Sequence, residues 1–309
     1  IDMKPLISVL VPVYNWQVSR LSQALLAARK KVYADDLIEI RFLDDSSPNQ
    51  SVQADNRRYF DTVSEWGVFY RELPENRGRA VVRNTLSMEA QGDWLLFLDA
   101  DVVPDDELFL LNYCDVIRSD QADAVCGGTS YRQRTMTGRS YDFYVYLVSR
   151  AGEKDAGSRN MVPWRTVLTS NMLIKKILFE TTPFDARFLG YGYEDQEWGI
   201  RLQHKCRLLH IDNTVSHLGL QTKQEVYRKM RESVKNYHLL RRLHPEMFAA
   251  SGIARIVRFL ESGSAHCLRK LDRLLERAFW ALEQPYAISY CTFQLNKAVL
   301  LALEGKREP

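Results

Sequence analysis

Apolar residues fall into two rhythms along this chain. Short runs rich in β-branched residues come first: Leu6-Ile7-Ser8-Val9-Leu10-Val11-Pro12-Val13, then 38–43, 68–71 and 94–98. The first run reads as a strand buried on both faces, and the other three read as further strands. Between them the spacing turns helical. Leu21, Ala24, Leu25 and Ala28 share one face after the first run, and 78–90 reads as a helix before the fourth. This alternation predicts an α/β fold with a mostly parallel sheet and right-handed crossovers. From about residue 222 the strand rhythm stops. Long amphipathic helices are expected over 222–243, 253–283 and 286–304, punctuated by Pro245, Gly252 and Pro285. The segment 151–160, rich in Gly, Lys, Asp and Ser, is expected to be an exposed, mobile loop.

Polar residues cluster where the strands end: Asn15 after the first, Asp44 and Asp45 after the second, Asp99 and Asp101 after the fourth. Open α/β sheets bind ligands outside the carboxyl ends of their strands, so one rim is marked as the site. Leu95-Leu96-Phe97-Leu98-Asp99-Ala100-Asp101 is the sharpest signal. Two carboxylates at i and i+2 on a rigid strand can converge on a hard divalent cation. Their other use, capping the next helix, is already served by Pro104-Asp105-Asp106. Gly190-Tyr191-Gly192-Tyr193-Glu194-Asp195 places a second acidic pair where a helix opens. A carboxylate at a helix N-terminus is held ionised by the dipole and free N–H groups, which suits a general base and equally suits a plain cap. His217 closes the last strand-like segment and reads as a metal ligand or a structural histidine. His204, His210, His238, His244 and His266 lack such a context and read as structural or surface residues.

Composition narrows the class. The 309 residues, 46% hydrophobic and 26% charged, suit a soluble globular protein of one large domain with an appendage. No apolar stretch approaches the roughly 18 residues of a spanning helix, and Ile1-Asp2-Met3-Lys4-Pro5 does not read as a signal peptide. Five widely spaced cysteines (Cys114, Cys126, Cys206, Cys267, Cys291) argue against a disulfide framework or zinc site and suit a reducing cytosol. From residue 223 on, 16 Lys and Arg face 9 Asp and Glu, a net +7, while the rest carries 26 against 30, or −4. Such a tail suits a solvated helical surface, an anionic lipid surface or a second subunit. No nucleic-acid partner is expected.

In combination these motifs resemble family 2 glycosyltransferases with the GT-A fold. Ile7-Ser8-Val9-Leu10-Val11-Pro12-Val13-Tyr14-Asn15 is similar to their opening strand, and Leu43-Asp44-Asp45-Ser46-Ser47 to their uracil-binding turn, although the family more often has Gly before Ser. Glu75-Asn76-Arg77-Gly78 with Arg83-Asn84 resembles the helix facing the nucleotide, and Asp99-Ala100-Asp101 the DxD motif. Ser170-Asn171-Met172, Phe184-Asp185-Ala186-Arg187-Phe188 and Gly192-Tyr193-Glu194-Asp195 resemble the acceptor half of chondroitin polymerases, polypeptide N-acetylgalactosaminyltransferases and β-1,4-galactosyltransferases. The likeness runs in order from about residue 6 to 219. It implies a Rossmann-like catalytic domain over 1–221, with a nucleotide-binding half to about 101 and an acceptor half over 102–221. The helical extension over 222–309 has no counterpart in it.

The resemblance also implies roles. Pro12, Tyr14, Asn15 and Asp45 would contact the uridine of a UDP-sugar, with Arg77 and Arg83 near the nucleotide or diphosphate. Asp101 and His217 would hold Mn²⁺ or Mg²⁺, with Asp99 at the ribose or in the metal's shell. Asp195 would be the base and Glu194 its partner toward the sugars, giving single displacement with inversion at the anomeric carbon. The acceptor would be a glycan, glycolipid or lipid-linked sugar, met in the cytoplasm or at the inner face of the membrane. Apart from the resemblance, the Gly-, Lys- and Ser-rich composition of 151–160 and its place between the donor-half and acceptor-half motifs suit a lid over the donor, with Trp164. Two other classes share parts of the pattern: a haloacid dehalogenase-like phosphatase, which puts Asp-x-Asp on its first strand rather than its fourth, and a non-catalytic sugar-binding module, which would not need the Glu194-Asp195 pair.

Overall fold

The computed structural model describes residues 4–33, 37–134, 138–151, 154–249, 252–282 and 284–306. The chain forms two compact units: Ile1–Met136, Glu153–Arg187 and Glu194–Gly219 make one, and Thr137–Gly152, Phe188–Tyr193 and Leu220–Pro309 the other. The described strands all lie in the first unit: β1 (Ile7–Val13), β2 (Ile38–Asp44), β3 (Val68–Glu72), β4 (Trp94–Leu98), β5 (Val102–Pro104), β6 (Ala124–Cys126), β7 (Thr129–Ser130), β8 (Asn171–Lys175), β9 (Leu208–His210) and β10 (Val215–His217).

Seven of them form one sheet in the order β3-β2-β1-β4-β8-β6-β9. Only β8 runs against its neighbours, so the sheet is mostly parallel, as the alternation of runs predicts. The unbroken apolar runs follow from burial on both faces. In β1, Ile7, Val9, Val11 and Val13 enter one core with Leu21, Leu25 and Ala28 of the Ser19–Arg29 helix. Leu10 enters the opposite core with Ala80, Val82 and Leu86 of the Arg79–Glu89 helix. β4 divides the same way, Trp94, Leu96 and Leu98 against Leu95 and Phe97. Alternate side chains point to opposite faces of a strand, so a strand covered twice has no polar face to show.

Three short strands make a second sheet, β5-β10-β7. It sets His217 of β10 opposite Val102 of β5, one residue past Asp101.

The expected loop over 151–160 is a different object. The helix Asp142–Ala151 runs to its first residue; 152 and 153 lie outside the described residues. The helix Ala156–Asn160 occupies its end, capped by Asp155 accepting from the Ser158 N–H at 2.7 Å. Arg159 is buried and donates to the Ile211 carbonyl at 2.8 Å; Asn160 exchanges two hydrogen bonds with the His210 backbone. Glycine and serine here serve a short capped helix rather than an extended loop.

The second unit is helical. Its longest members are Lys223–Leu243, Ala265–Ala281 and Tyr286–Gly305, and Thr222 opens the first with a reciprocal capping box to Glu225. The single helix expected over 253–283 is two, Gly252–Glu261 and Ala265–Ala281. Ser264 starts the second by accepting from the Cys267 N–H at 3.2 Å, a cap that propensity averaged over the window hides. The apolar stripe on these helices is largely consumed by packing: Val257 and Leu268 are buried, and Ile253, Leu260, Leu271 and Leu275 pack against them. Ile256, Phe259 and Leu274 stay exposed. Among the described residues no helix is long and apolar enough to cross a membrane.

Candidate active site

The rim of the parallel strands is organised by two aspartates at the end of β2, Asp44 its last residue and Asp45 the next. Asp44 accepts from the backbone N–H and the hydroxyl of Ser47, at 2.7 and 2.8 Å, and the Ser47 hydroxyl accepts from the Asn15 N–H at 2.7 Å. Asn15 and Ser46 both take left-handed backbone, φ 55° in each case. The turn thus links β1 to β2 with Ser where the family more often carries Gly. Asp45 is buried and draws in the segment after β3. Its Oδ1 accepts from the Arg77 N–H at 2.6 Å, and its Oδ2 accepts from the Gly78 N–H at 2.9 Å and the Asn76 side chain at 3.0 Å. Burial pushes its carboxyl up, against the pull of those two N–H groups. Pro12 is half-buried, while Tyr14 and Arg77 are exposed, the latter paired with Glu75 at 2.7 Å.

Arg83 lies at the centre of the acidic cluster and is 1% exposed. Its Nη2 donates to Asp99 Oδ1 at 2.8 Å; its Nη1 is 3.9 Å from Glu194 and 3.8 Å from Asp195. Nη1 and Nε make no hydrogen bond, and the guanidinium lies 5.5 Å from the ring centroid of Phe184. Burial raises the Asp99 carboxyl, but the charges of Arg83 and Arg79 outweigh it and hold Asp99 below the usual carboxylate range.

Asp195 is mounted on the Glu194–Leu202 helix, which buries Trp198 and Leu202 among Phe97, Phe179 and Phe184. The indole N–H of Trp198 donates to the Thr182 carbonyl at 2.7 Å, fixing the helix that presents both acids. Thr169, which sequence reasoning missed, donates to Asp195 from its hydroxyl at 2.7 Å and its N–H at 3.2 Å. Its only sequence signal is adjacency to Ser170-Asn171. Asn171 itself is buried and knits Tyr113, Gly128 and Asn213 together. Asp195 is raised to about 6, because burial and the neighbouring charges of Glu194 and Asp99 outweigh Arg83 and Thr169.

Asp101 and His217 meet across the β5–β10 pairing, Oδ2 to Nε2 at 3.3 Å. The Leu218 N–H donates to the Asp101 carbonyl at 2.8 Å. His217 Nδ1 is buried without a partner, which leaves Nε2, beside Asp101, as the nitrogen able to take a ligand. Beneath them Asp105, expected to cap the next helix, instead accepts from Thr214 at 2.7 Å and from Ser130 and Ser216 at 2.5 Å each, pinning β7 and β10, while the Phe109–Ser119 helix opens at Leu108 with no side-chain cap. Asp99 is bonded to Arg83, and no group of three His, Cys, Asp or Glu converges among the described residues.

A divalent cation fits the pair. Carboxylate oxygen and imidazole nitrogen suit Mn²⁺ or Mg²⁺, and their separation is near the roughly 3 Å edge of an octahedral shell. Gly219 leaves the room: a Cβ there would stand 2.3 Å from Asp101 Oδ2 and 3.3 Å from the His217 ring. Gly219→Ala is therefore expected to displace Asp101 and weaken Mn²⁺ binding at least about tenfold, the scale of altered ligand support. Calorimetric titration of Mn²⁺ checks this; equal affinity would remove Gly219 from the site.

Comparison with known proteins agrees with this architecture. Solved structures share the fold, these two among them. The mannosyltransferase PcManGT from Pyrobaculum calidifontis, in complex with GDP-Man and Mn²⁺, aligns at 19% identity and a TM-score of 0.57, covering 99% of this chain and 87% of that one. S. aureus TarS 1–349 in complex with UDP-GlcNAc aligns at 15% identity and a TM-score of 0.52, covering 98% and 91%. An uncharacterized glycosyltransferase of Haemophilus influenzae is 36% identical over 97 residues, and the uncharacterized glycosyltransferase YfnE of Bacillus subtilis is 24% identical over 253. These alignments cover 31% and 63% of this chain, and 36% and 59% of those proteins. Residues 8–178 match the family described as Glycosyl transferase family 2, more than half of the chain, and the chain belongs to that family.

Proposed function

We propose that this chain transfers a sugar from a UDP-sugar to a hydroxyl of a glycan, glycolipid or lipid-linked acceptor, inverting the anomeric carbon. The observation that carries the reading is the pairing of a base with an acidic metal cradle in one unit. Asp195, raised to about 6 and fixed by Thr169, lies beside Arg83, which also holds Asp99, two residues from Asp101.

Asp101 and His217 would hold Mn²⁺ or Mg²⁺, and when bound that ion neutralises charge developing on the diphosphate. Asp45 Oδ1 accepts a single protein hydrogen bond, so it keeps a lone pair for the uracil N3–H. Tyr14, exposed at the end of β1, offers its ring to the base. Asp195 takes the proton of the acceptor hydroxyl, which attacks opposite the leaving diphosphate. Arg83 keeps that base ionised near neutral pH. Glu194, adjacent to Asp195, is assigned to the sugars. We place the reaction in the cytoplasm or at the inner face of the membrane.

The uracil assignment is tested by titrating UDP and GDP in the presence of Mn²⁺; preference for GDP would overturn it. The base assignment has a pH signature. A carboxyl raised to about 6 is protonated below that value, so kcat/KM should be level above it and fall about tenfold per unit below it. Arg83→Met removes the nearest cation and should move this acid limb upward. A limb near 4 in wild type, or one unmoved in the variant, would contradict the assignment.

A further inference from the structure

The helix Ala265–Ala281 sorts its charges by face. Both of its acids are engaged by Arg231 of the Lys223–Leu243 helix, Asp272 at 3.5 Å and Glu276 at 3.8 Å. Asp272 also accepts from the Asn296 side chain at 2.9 Å. Its cations, Arg269, Lys270, Arg273 and Arg277, are all exposed, and among the described residues they form no ion pair or hydrogen bond. At about 100° per residue these cations share a sector of about 100°, opposite the stripe of Leu268, Leu271 and Leu275 that packs into the helical core. Leu274, 63% exposed, borders the sector, and Trp280, 41% exposed, lies within it. Lys235 lines one concavity with Arg269 and Arg273 and is likewise exposed and unpaired among the described residues. The other charged residues of that concavity, Arg231, Asp272 and Glu304, each have partners. A merely solvated helix face intersperses acids and cations one turn apart, where they pair. Here one sign stands alone beside a leucine and a tryptophan, the composition of a face that meets an anionic interface.

We propose that this face of the helical unit docks on a bilayer containing anionic phospholipid. Lys235, Arg269, Lys270, Arg273 and Arg277 meet the headgroup phosphates, and Leu274 and Trp280 enter the interfacial layer. The apolar pair favours lipid over nucleic acid, whose backbone phosphates attract cations but bury no leucine. The inference rests on the proposed placement at the inner face of the membrane and gives it a surface. It shares no residue with the transfer site, so the two fail separately.

The test is co-sedimentation of the full chain with vesicles of equal parts phosphatidylglycerol and phosphatidylcholine, against pure phosphatidylcholine, at low and high salt. Binding to the anionic vesicles alone is expected, reduced by salt and weakened at least about tenfold in an Arg269→Gln/Arg273→Gln/Arg277→Gln variant. Leu274→Ser, which keeps every charge, should weaken it about threefold or more. All the substituted residues are exposed, and circular dichroism with unchanged hydrolysis of a UDP-sugar would show that both variants are folded and catalytically intact. Wild type that binds the vesicles but hydrolyses no UDP-sugar would count against the transfer reading and leave the docking face standing. No binding to anionic vesicles at low salt, or binding that the triple variant leaves untouched, overturns the proposal. So does binding to duplex DNA as tight as to the vesicles with Leu274→Ser equal to wild type on both, which would make the face a general polyanion surface.

Discussion

Replacing Asp195 by Asn is expected to leave UDP binding intact and to lower transfer by about two to four orders of magnitude, the usual worth of a general base. The substitution is nearly isosteric. Thr169 keeps an oxygen to donate to, and the Trp198 anchor of the helix is untouched. What is lost is the ability to take a proton, so kcat should fall with little change in donor affinity. The comparison that decides the roles is Glu194→Gln. Glu194 is the more buried of the two acids and is also within 3.9 Å of Arg83. A larger loss in that variant would exchange the assignments of Glu194 and Asp195.

Asp101→Ala should abolish metal-dependent transfer, a loss of roughly three orders of magnitude or more, because metal stabilisation of the leaving charge is worth several kcal/mol. Its fold should survive. The bond from Leu218 goes to the Asp101 backbone carbonyl, which alanine retains, and the side chain is partly exposed. EDTA should have the same effect on wild type and none on residual activity of the variant. Full activity of Asp101→Ala, or of wild type in EDTA, would rule this cradle out. Unchanged Mn²⁺ affinity in the variant would place the ion elsewhere.

β1, β2 and β4 were legible because both faces are covered, which writes burial as a mostly apolar run, whereas β3, at the sheet edge, alternates half-buried and exposed residues. β1, β2, β3 and β4 fall where those runs predict, and the acids at their ends share the rim. β6, β7 and β9 are three residues or fewer and carry no periodicity of their own. β8 enters against its neighbours, a direction no local pattern encodes. At the site, the acid pairs stood out because carboxylates beside buried runs are costly unless used. Thr169 did not, since a threonine beside other polar residues looks like any turn, and Asp105 read as a helix cap for the same reason. Thr169 reaches Asp195 26 residues away, and Asp105 reaches Ser130, Thr214 and Ser216, 25, 109 and 111 residues away. The environment of Arg83 was equally hidden: a helical arginine reads as solvated until the fold surrounds it with three carboxylates. The break at Ser264 shows the opposite limit, a local cap that starts a new helix where the amphipathic stripe reads as continuous.

The most direct measurement is release of UDP from a panel of UDP-sugars with Mn²⁺, in wild type and Asp195→Asn side by side, with GDP-sugars and a phosphomonoester as controls. Steady UDP release from at least one UDP-sugar, abolished by EDTA and strongly reduced in Asp195→Asn, is the expected result. Hydrolysis of the phosphomonoester with no nucleotide released from any sugar donor would contradict it.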